Sequence, residues 1–90
     1  MFLHIGEGKI IDKDDIIGVF DLDNTSTSKK TREFLRNSEK KGIVTNVSEE
    51  IPKTYIICEK NGEERVYITQ ISPKTLLKRA ERNEEFGTEN

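Results

Sequence analysis

One segment of this chain, a strand–turn–strand unit, constrains the fold more than any other feature. Residues 54–60 and 65–71 are rich in β-branched and aromatic side chains, and Asn61-Gly62 lies between them. An Asn-Gly pair favours a tight hairpin turn because both residues tolerate a positive φ. We therefore predict an antiparallel hairpin, with the two glutamates that follow Gly62 widening the turn.

Apolar side chains fall on both faces of this predicted hairpin. Residues alternate between the faces of a strand. The predicted first face holds Ile56, Cys58, Val66 and Ile68. The predicted second face holds Tyr55, Ile57, Tyr67 and Ile71. A chain of 90 residues with two short helices can hardly cover both faces. We therefore expect a second copy to cover one of them, which makes the protein a homo-oligomer.

Short apolar runs predict four further strands, at residues 2–5, 9–11, 16–20 and 43–45. The run at 16–20 is continuous, which predicts a strand that is buried on both of its faces. With two helices, the order is β-β-β-α-β-β-β-α. This order indicates an α+β fold with a small, mostly antiparallel sheet. We assign residues 1–84 to this single domain and residues 85–90 to a frayed C-terminal tail.

Capping residues delimit the two predicted helices. Ser28 is a suitable N-cap for the first helix, and Gly42 suits the position just after its end. Ser72 caps the second helix, with Pro73 at its first position. One apolar side of the second helix is expected to consist of Leu76, Leu77 and Ala80.

The net charge of −2 hides an uneven distribution. Residues 1–28 carry two basic and six acidic side chains, whereas residues 29–42 carry six basic and two acidic ones. At helical spacing, one face of the first helix holds Thr31, Phe34, Leu35 and Ser38, and the opposite face holds Lys29, Arg32, Arg36 and Lys40. These four basic residues are the candidate nucleic-acid-binding site. Alternatively, they form a solvated helix face, since Glu33 and Glu39 dilute the charge.

A string at the end of the third predicted strand, Val19 to Thr25, resembles the first motif of haloacid dehalogenase-type phosphatases. The resemblance would make Asp21 the nucleophile and Asp23 the general acid/base. Phosphatases of this type also need a later lysine and a further acidic pair, which are carried on a doubly wound sheet considerably longer than this chain. We therefore expect a protein that binds a partner, with no enzymatic activity.

No cofactor or metal site is predicted. His4 is the only histidine and Cys58 the only cysteine, so neither has a partner of its own type for metal binding or a disulfide. No apolar run approaches the length of a membrane span, and no signal peptide is evident. We expect a cytoplasmic protein without membrane contact.

Segments along nearly the whole chain together resemble one bacterial family. The segments are Phe2–Gly6, Asp15–Asp21, Arg32–Leu35, Pro52–Ile56 and Ile71–Ala80. Their order and spacing are similar to those of the RemA/RemB family of extracellular matrix regulatory proteins. The resemblance implies a regulator of biofilm-matrix gene expression with a fold similar to LytTR-type DNA-binding domains. It also implies an oligomer that binds double-stranded DNA as a transcriptional regulator, as the RemA branch does.

The sequence departs from the DNA-binding branch of that family at two places. That branch has an arginine just before the third strand, where this chain has Asp15, and an arginine pair where this chain has Glu49-Glu50-Ile51-Pro52. An acid in place of a base reverses the attraction to phosphate. Two hypotheses therefore stay open: an oligomeric DNA-binding regulator, or a protein-interaction module that partners a related regulator without touching DNA.

Overall fold

The computed structural model describes residues 1–22 and 28–89, with side chains described as far as residue 82. The predicted element order is confirmed. In the described residues, six strands and two α-helices of more than one turn follow each other as β1 Phe2–Gly6, β2 Lys9–Asp12, β3 Ile16–Asp21, α1 Lys29–Lys40, β4 Val44–Asn46, β5 Thr54–Lys60, β6 Glu63–Thr69 and α2 Pro73–Glu89. The strands form two small sheets, which confirms the α+β class. One is the β1–β2 hairpin, and the other has four strands in the order β3-β5-β6-β4. All pairs are antiparallel except β4 with β6.

The predicted β5–β6 hairpin is present, but its turn is tighter than predicted. Lys60 pairs directly with Glu63, and both turn residues, Asn61 and Gly62, have positive φ. The turn thus has two residues, and the glutamates belong to β6. The pairing places Tyr67 opposite Ile56, so the predicted division of β6 side chains between the two faces is wrong. A shift of one residue moves every side chain of a strand to the other face.

The first face of the four-stranded sheet is covered by the β1–β2 hairpin and α2. Ile56 and Cys58 of β5 pack there against side chains of β1, β2 and α2, and the core on this side is Leu3, Ile5, Ile11, Ile56, Cys58 and Leu76. Two hydrogen bonds join α2 to the N-terminal segment that forms this layer. Arg79 Nη1 donates to the His4 carbonyl at 3.3 Å, and Lys13 Nζ donates to the Ala80 carbonyl at 3.1 Å.

The second face is covered by α1. Tyr55 and Val66 are buried on this side, and Phe34 and Leu35 of α1 pack against them as half-buried residues. Both faces of the sheet are therefore covered by the same chain. The argument that one chain cannot cover both faces is wrong, because the β1–β2 hairpin forms a separate layer and each helix covers one face. Self-association itself stays a prediction.

Strand β3 was expected to be buried on both faces, and this is wrong. It is an edge strand, paired only with β5 in the described chain. A bulge between Ile16 and Gly18 interrupts the register, and Ile17 is 58% exposed. Val19 and Phe20 are also exposed. A continuous apolar run is thus compatible with an edge position.

The second helix begins as predicted, with Pro73 in its first position and Ser72 Oγ accepting from the Thr75 amide at 3.3 Å. Of its predicted apolar side, Leu76 is buried and Ala80 half-buried, but Leu77 is 60% exposed and does not belong to the packed face. The helix extends to Glu89, into the predicted tail at 85–90. The side chains of that segment lie outside the described residues, so the domain boundary at 84 stays a prediction.

Candidate nucleic-acid interface

Helix α1 is delimited by local interactions that the sequence encodes. Ser28 occupies the N-cap position; its side chain makes no capping hydrogen bond, and its carbonyl accepts from the Arg32 amide at 3.1 Å. At the other end, the Gly42 amide donates to the Glu39 carbonyl at 3.0 Å and the Ile43 amide to the Ser38 carbonyl at 3.2 Å. This pair of bonds, with Gly42 at φ +74°, is the Schellman arrangement that ends many helices. The helix therefore ends at Lys40, and the next strand, β4, begins at Val44.

The prediction that α1 has one packed side and one basic side is confirmed. Phe34 and Leu35 are half-buried against the sheet, and Ser38 is buried with its Oγ donating to the Phe34 carbonyl at 2.9 Å. The four candidate residues are all exposed and lie on the side that faces away from the sheet. We call them the α1 stripe: Lys29, Arg32, Arg36 and Lys40. The structure thus brings all four onto one outward surface, where side chains of this length can reach phosphate oxygens.

A second group of basic residues, which the sequence analysis did not single out, lies on α2. Lys74, Lys78 and Arg82 follow each other at four-residue spacing and are exposed. Leu76 is buried on the opposite side of the same helix. Residues spaced by four lie on one helix face, so these three form an outward-facing row, which we call the α2 stripe. The spacing itself was the signal that could have revealed it.

The acidic residues that replace the arginines expected from the family resemblance lie at two separate places, and those in the loop before β5 form an acidic surface. Glu49 and Glu50 are exposed and line a shallow cavity together with Glu7 from the β1–β2 turn. Ile51 follows them and is 83% exposed. Asp15, half-buried, ends the single 3-10 turn before β3. An acidic rim beside an exposed apolar side chain is suited to a basic protein partner and repels phosphate.

A cleft of about 450 Å³ lies between β2 and the turn end of the β5–β6 hairpin, with Cys58 and Tyr67 among its lining residues. Burial, and to a smaller degree the nearby Asp15 carboxylate, raise the pKa of the Cys58 thiol to about 11. Burial also raises the pKa of Tyr67. Both groups are therefore protonated at neutral pH, and the thiol is a poor nucleophile there.

The other residues considered from the sequence do not form a reactive site in the described part of the chain. Asp21 ends β3, whereas Asp23 lies outside the described residues. His4 is exposed on β1. No three His, Cys, Asp or Glu side chains of residues 1–22 and 28–82 come together in a way that could hold a metal ion. The described helices include none that is long and apolar enough to cross a bilayer.

Comparison with known proteins assigns this small α+β chain to a family of regulators. The sequence profile of the RemA-like family, described as extracellular matrix regulatory protein A-like, matches residues 2–80. The chain belongs to this family. It is similar to extracellular matrix regulatory protein B of Bacillus subtilis (strain 168), with 31% identity over 81 residues that cover 90% of this chain and 91% of that protein. The family resemblance inferred from the five sequence segments is thereby confirmed.

Proposed function

We propose that this protein is an oligomeric, cytoplasmic DNA-binding regulator of extracellular-matrix genes. The observation that carries the proposal is the α1 stripe: four exposed basic side chains on the outward face of a helix whose other face is packed on the sheet. The similarity to a protein named for matrix regulation supports the regulatory role. Catalysis has no part in this proposal.

The contacts of the α1 stripe are directed at phosphates. Long basic side chains on one helix face present no base-reading pattern, so binding is weakly sequence-specific. Each phosphate contact contributes a slope of about −0.9 to the salt dependence of the binding constant. With about four contacts per subunit, affinity falls roughly 100-fold between about 50 and 200 mM salt. Assembly of several subunits multiplies these weak contacts.

Self-association has a candidate surface in β3. This edge strand has no neighbour on its outer side among the described residues, and its side chains Ile17 and Val19 are exposed. Exposed edges with apolar side chains favour pairing with another chain. Light scattering at micromolar concentration should therefore give a mass above the 10.4 kDa of one chain. A monodisperse monomer would remove oligomerisation from the proposal.

The test of DNA binding is a titration of labelled duplex DNA across a salt series with the variant K29E/R36E. We expect its affinity to fall at least about tenfold, because two phosphate contacts become repulsive. Both positions are exposed, and a carboxylate at residue 29 in the first turn interacts favourably with the helix dipole. The matched control is K53E/K60E, which makes the same change of net charge at exposed positions outside both helices. Equal binding by K29E/R36E and the parent would show that the α1 stripe is only a solvated face.

A second candidate function is supported by the acidic surface at Glu49 and Glu50 with its exposed Ile51. In this case the protein binds a basic partner, such as a related regulator of the DNA-binding branch. The parent would then bind no DNA even at low salt. It would bind the related regulator in a way that E49K/E50K abolishes and K29E/R36E leaves unchanged.

A further inference from the structure

The α2 stripe is the starting point for an inference beyond the proposed function. Lys74, Lys78 and Arg82 are exposed, and Glu81 is the only acidic residue between positions 73 and 82. Arg79, also in this segment, is directed elsewhere, since its Nη1 donates to the His4 carbonyl at 3.3 Å. The α2 stripe therefore has nearly as many basic residues as the α1 stripe and less internal neutralisation.

The two stripes lie on opposite sides of the four-stranded sheet. Along β5, Tyr55 belongs to the cluster that contains Phe34 of α1, and the next residue, Ile56, belongs to the cluster that contains Leu76 of α2. Neighbouring residues of a strand point to opposite faces. Leu76 of α2 and Phe34 of α1 are directed at these two opposite clusters, so the basic stripes on the other sides of the two helices point away from each other.

A single straight duplex cannot lie against both stripes of one subunit. The domain measures 43 × 29 × 21 Å, whereas the persistence length of DNA is about 50 nm. Wrapping a duplex from one side of such a small body to the other would require severe bending. A duplex bound at the α1 stripe therefore leaves the α2 stripe exposed to solvent.

We propose that the α2 stripe binds the phosphate backbone of a second DNA duplex, so that the protein bridges two DNA segments. The proposal rests on the proposed function, because the first duplex is bound by the α1 stripe. Charge complementarity selects a polyanion as the occupant of the α2 stripe, and its row of three cations at helical spacing suits the regular phosphates of a duplex. The α1 stripe, with one more cation, is the stronger of the two surfaces. Bridging would bring distant sites on one DNA molecule together.

The test is capture of a free, labelled duplex by the protein bound to a bead-attached duplex of unrelated sequence. We expect the parent to capture the free duplex at low salt. The variant K74E/K78E should bind a single duplex with affinity close to the parent but lose capture by about tenfold or more, since two phosphate contacts are reversed. The carboxylate at residue 74 lies in the first helical turn, where the helix dipole favours it. K53E/K60E, with the same change of charge, should bind and capture like the parent.

The outcomes separate the two proposals. If the parent binds no single duplex, the proposed function fails and bridging fails with it. If the parent binds but does not capture, or if K74E/K78E captures as well as the parent, DNA binding stands and the bridging role of the α2 stripe is overturned. Thermal unfolding of each variant, followed by circular dichroism, shows whether a loss of capture reflects a loss of fold. In that case the milder variant K74Q/K78Q decides by the same two criteria.

Discussion

The two faces of the four-stranded sheet are packed very differently. On the first face, side chains from β1, β2, β5 and α2 meet in a core in which Leu3, Ile5, Ile56 and Leu76 are almost completely buried. On the second face, α1 contributes the half-buried Phe34 and Leu35 and the buried Ser38, and the buried hydrophobic residues of the described chain there are Leu22, Tyr55 and Val66. Stability is therefore concentrated on the first face, and the second carries a helix that is held loosely by comparison.

This difference in packing also affects where charged residues can lie. A helix that buries a thin apolar stripe keeps most of its circumference for charged residues, and α1 carries the α1 stripe on that free surface. The half-buried contacts of Phe34 and Leu35 are enough to orient it. In this protein the less tightly packed face thus presents the denser group of basic residues. The following predictions test how different the two faces are.

The largest expected effect is on the first face. Ile56 is 0% exposed, and its replacement by alanine should lower the free energy of unfolding by about 2–5 kcal/mol, because it leaves a cavity in a well-packed core. Leu35→Ala on α1 should cost only about 1 kcal/mol, since that side chain is half-buried. Urea denaturation of both variants measures the difference. Equal losses would show that the two faces are packed equally well.

Thr69 connects β6 to the β1–β2 layer, and its replacement should have the next largest effect. Its Oγ1 donates to the Ile5 carbonyl at 2.5 Å and accepts from the Ile71 amide at 3.2 Å, at 1% exposure. Thr69→Val keeps the shape but leaves both partners without this bond, which should cost about 1–3 kcal/mol. Thr45→Val, at an exposed strand position, is the control and should be nearly neutral. A neutral Thr69→Val would mean that this hydrogen bond does not stabilise the first face.

A smaller effect is expected at the C-terminal end of α1. Gly42 has φ +74°, and a Cβ there would meet nothing within 4 Å. Gly42→Ala should therefore cost about 1 kcal/mol through backbone strain alone. Gly42→Asn should cost less, because asparagine tolerates this conformation better. Thermal unfolding of the two variants checks the order, and a reversed order would contradict the Schellman ending of α1.

The smallest effect at neutral pH concerns Cys58. Its pKa is raised from 9.0 to about 11, so the folded protein holds this proton more tightly than the unfolded chain does. The resulting stabilisation is complete below about pH 9 and is lost as the pH rises towards 11. Tyr67 also has a raised pKa, so Cys58→Ala serves to isolate the contribution of the thiol. Unfolding free energies of parent and variant should converge between pH 9 and 11, and parallel profiles would contradict this.

Features that depend on neighbouring residues were predicted well. The spacing of Thr31, Phe34, Leu35 and Ser38 predicted the packed side of α1, and the caps at Gly42 and Ser72 predicted helix ends whose hydrogen bonds the structure confirms. Each depends on contacts within one or two helical turns, which the local sequence specifies. The α1 stripe followed from the same periodicity. The α2 stripe has an equally regular spacing and was missed only because its helix lacked a local excess of charge as large as that of residues 29–42.

Features that depend on distant residues were predicted poorly. The pairing places Val66 opposite Ile57 and Tyr67 opposite Ile56; a register that differed by one residue would reverse both faces, and no pattern in β6 reveals which register forms. A continuous apolar run such as that at 16–20 occurs in central strands and in edge strands, so the pattern does not distinguish between them. The exposure of this run depends on which strands pair with β5, and β5 lies more than 30 residues further along the chain.

The chain's local chemistry thus accounts for the element order, the helix ends and the charged side of α1, because short-range hydrogen bonds and periodicity are encoded within a few residues. Strand register, the edge position of β3 and the covering of both sheet faces by one chain arise from contacts between distant segments. The opposite placement of the two basic stripes belongs to this second group. It follows from the alternation of Tyr55 and Ile56 between two clusters, which exists only once both helices have packed against the same sheet.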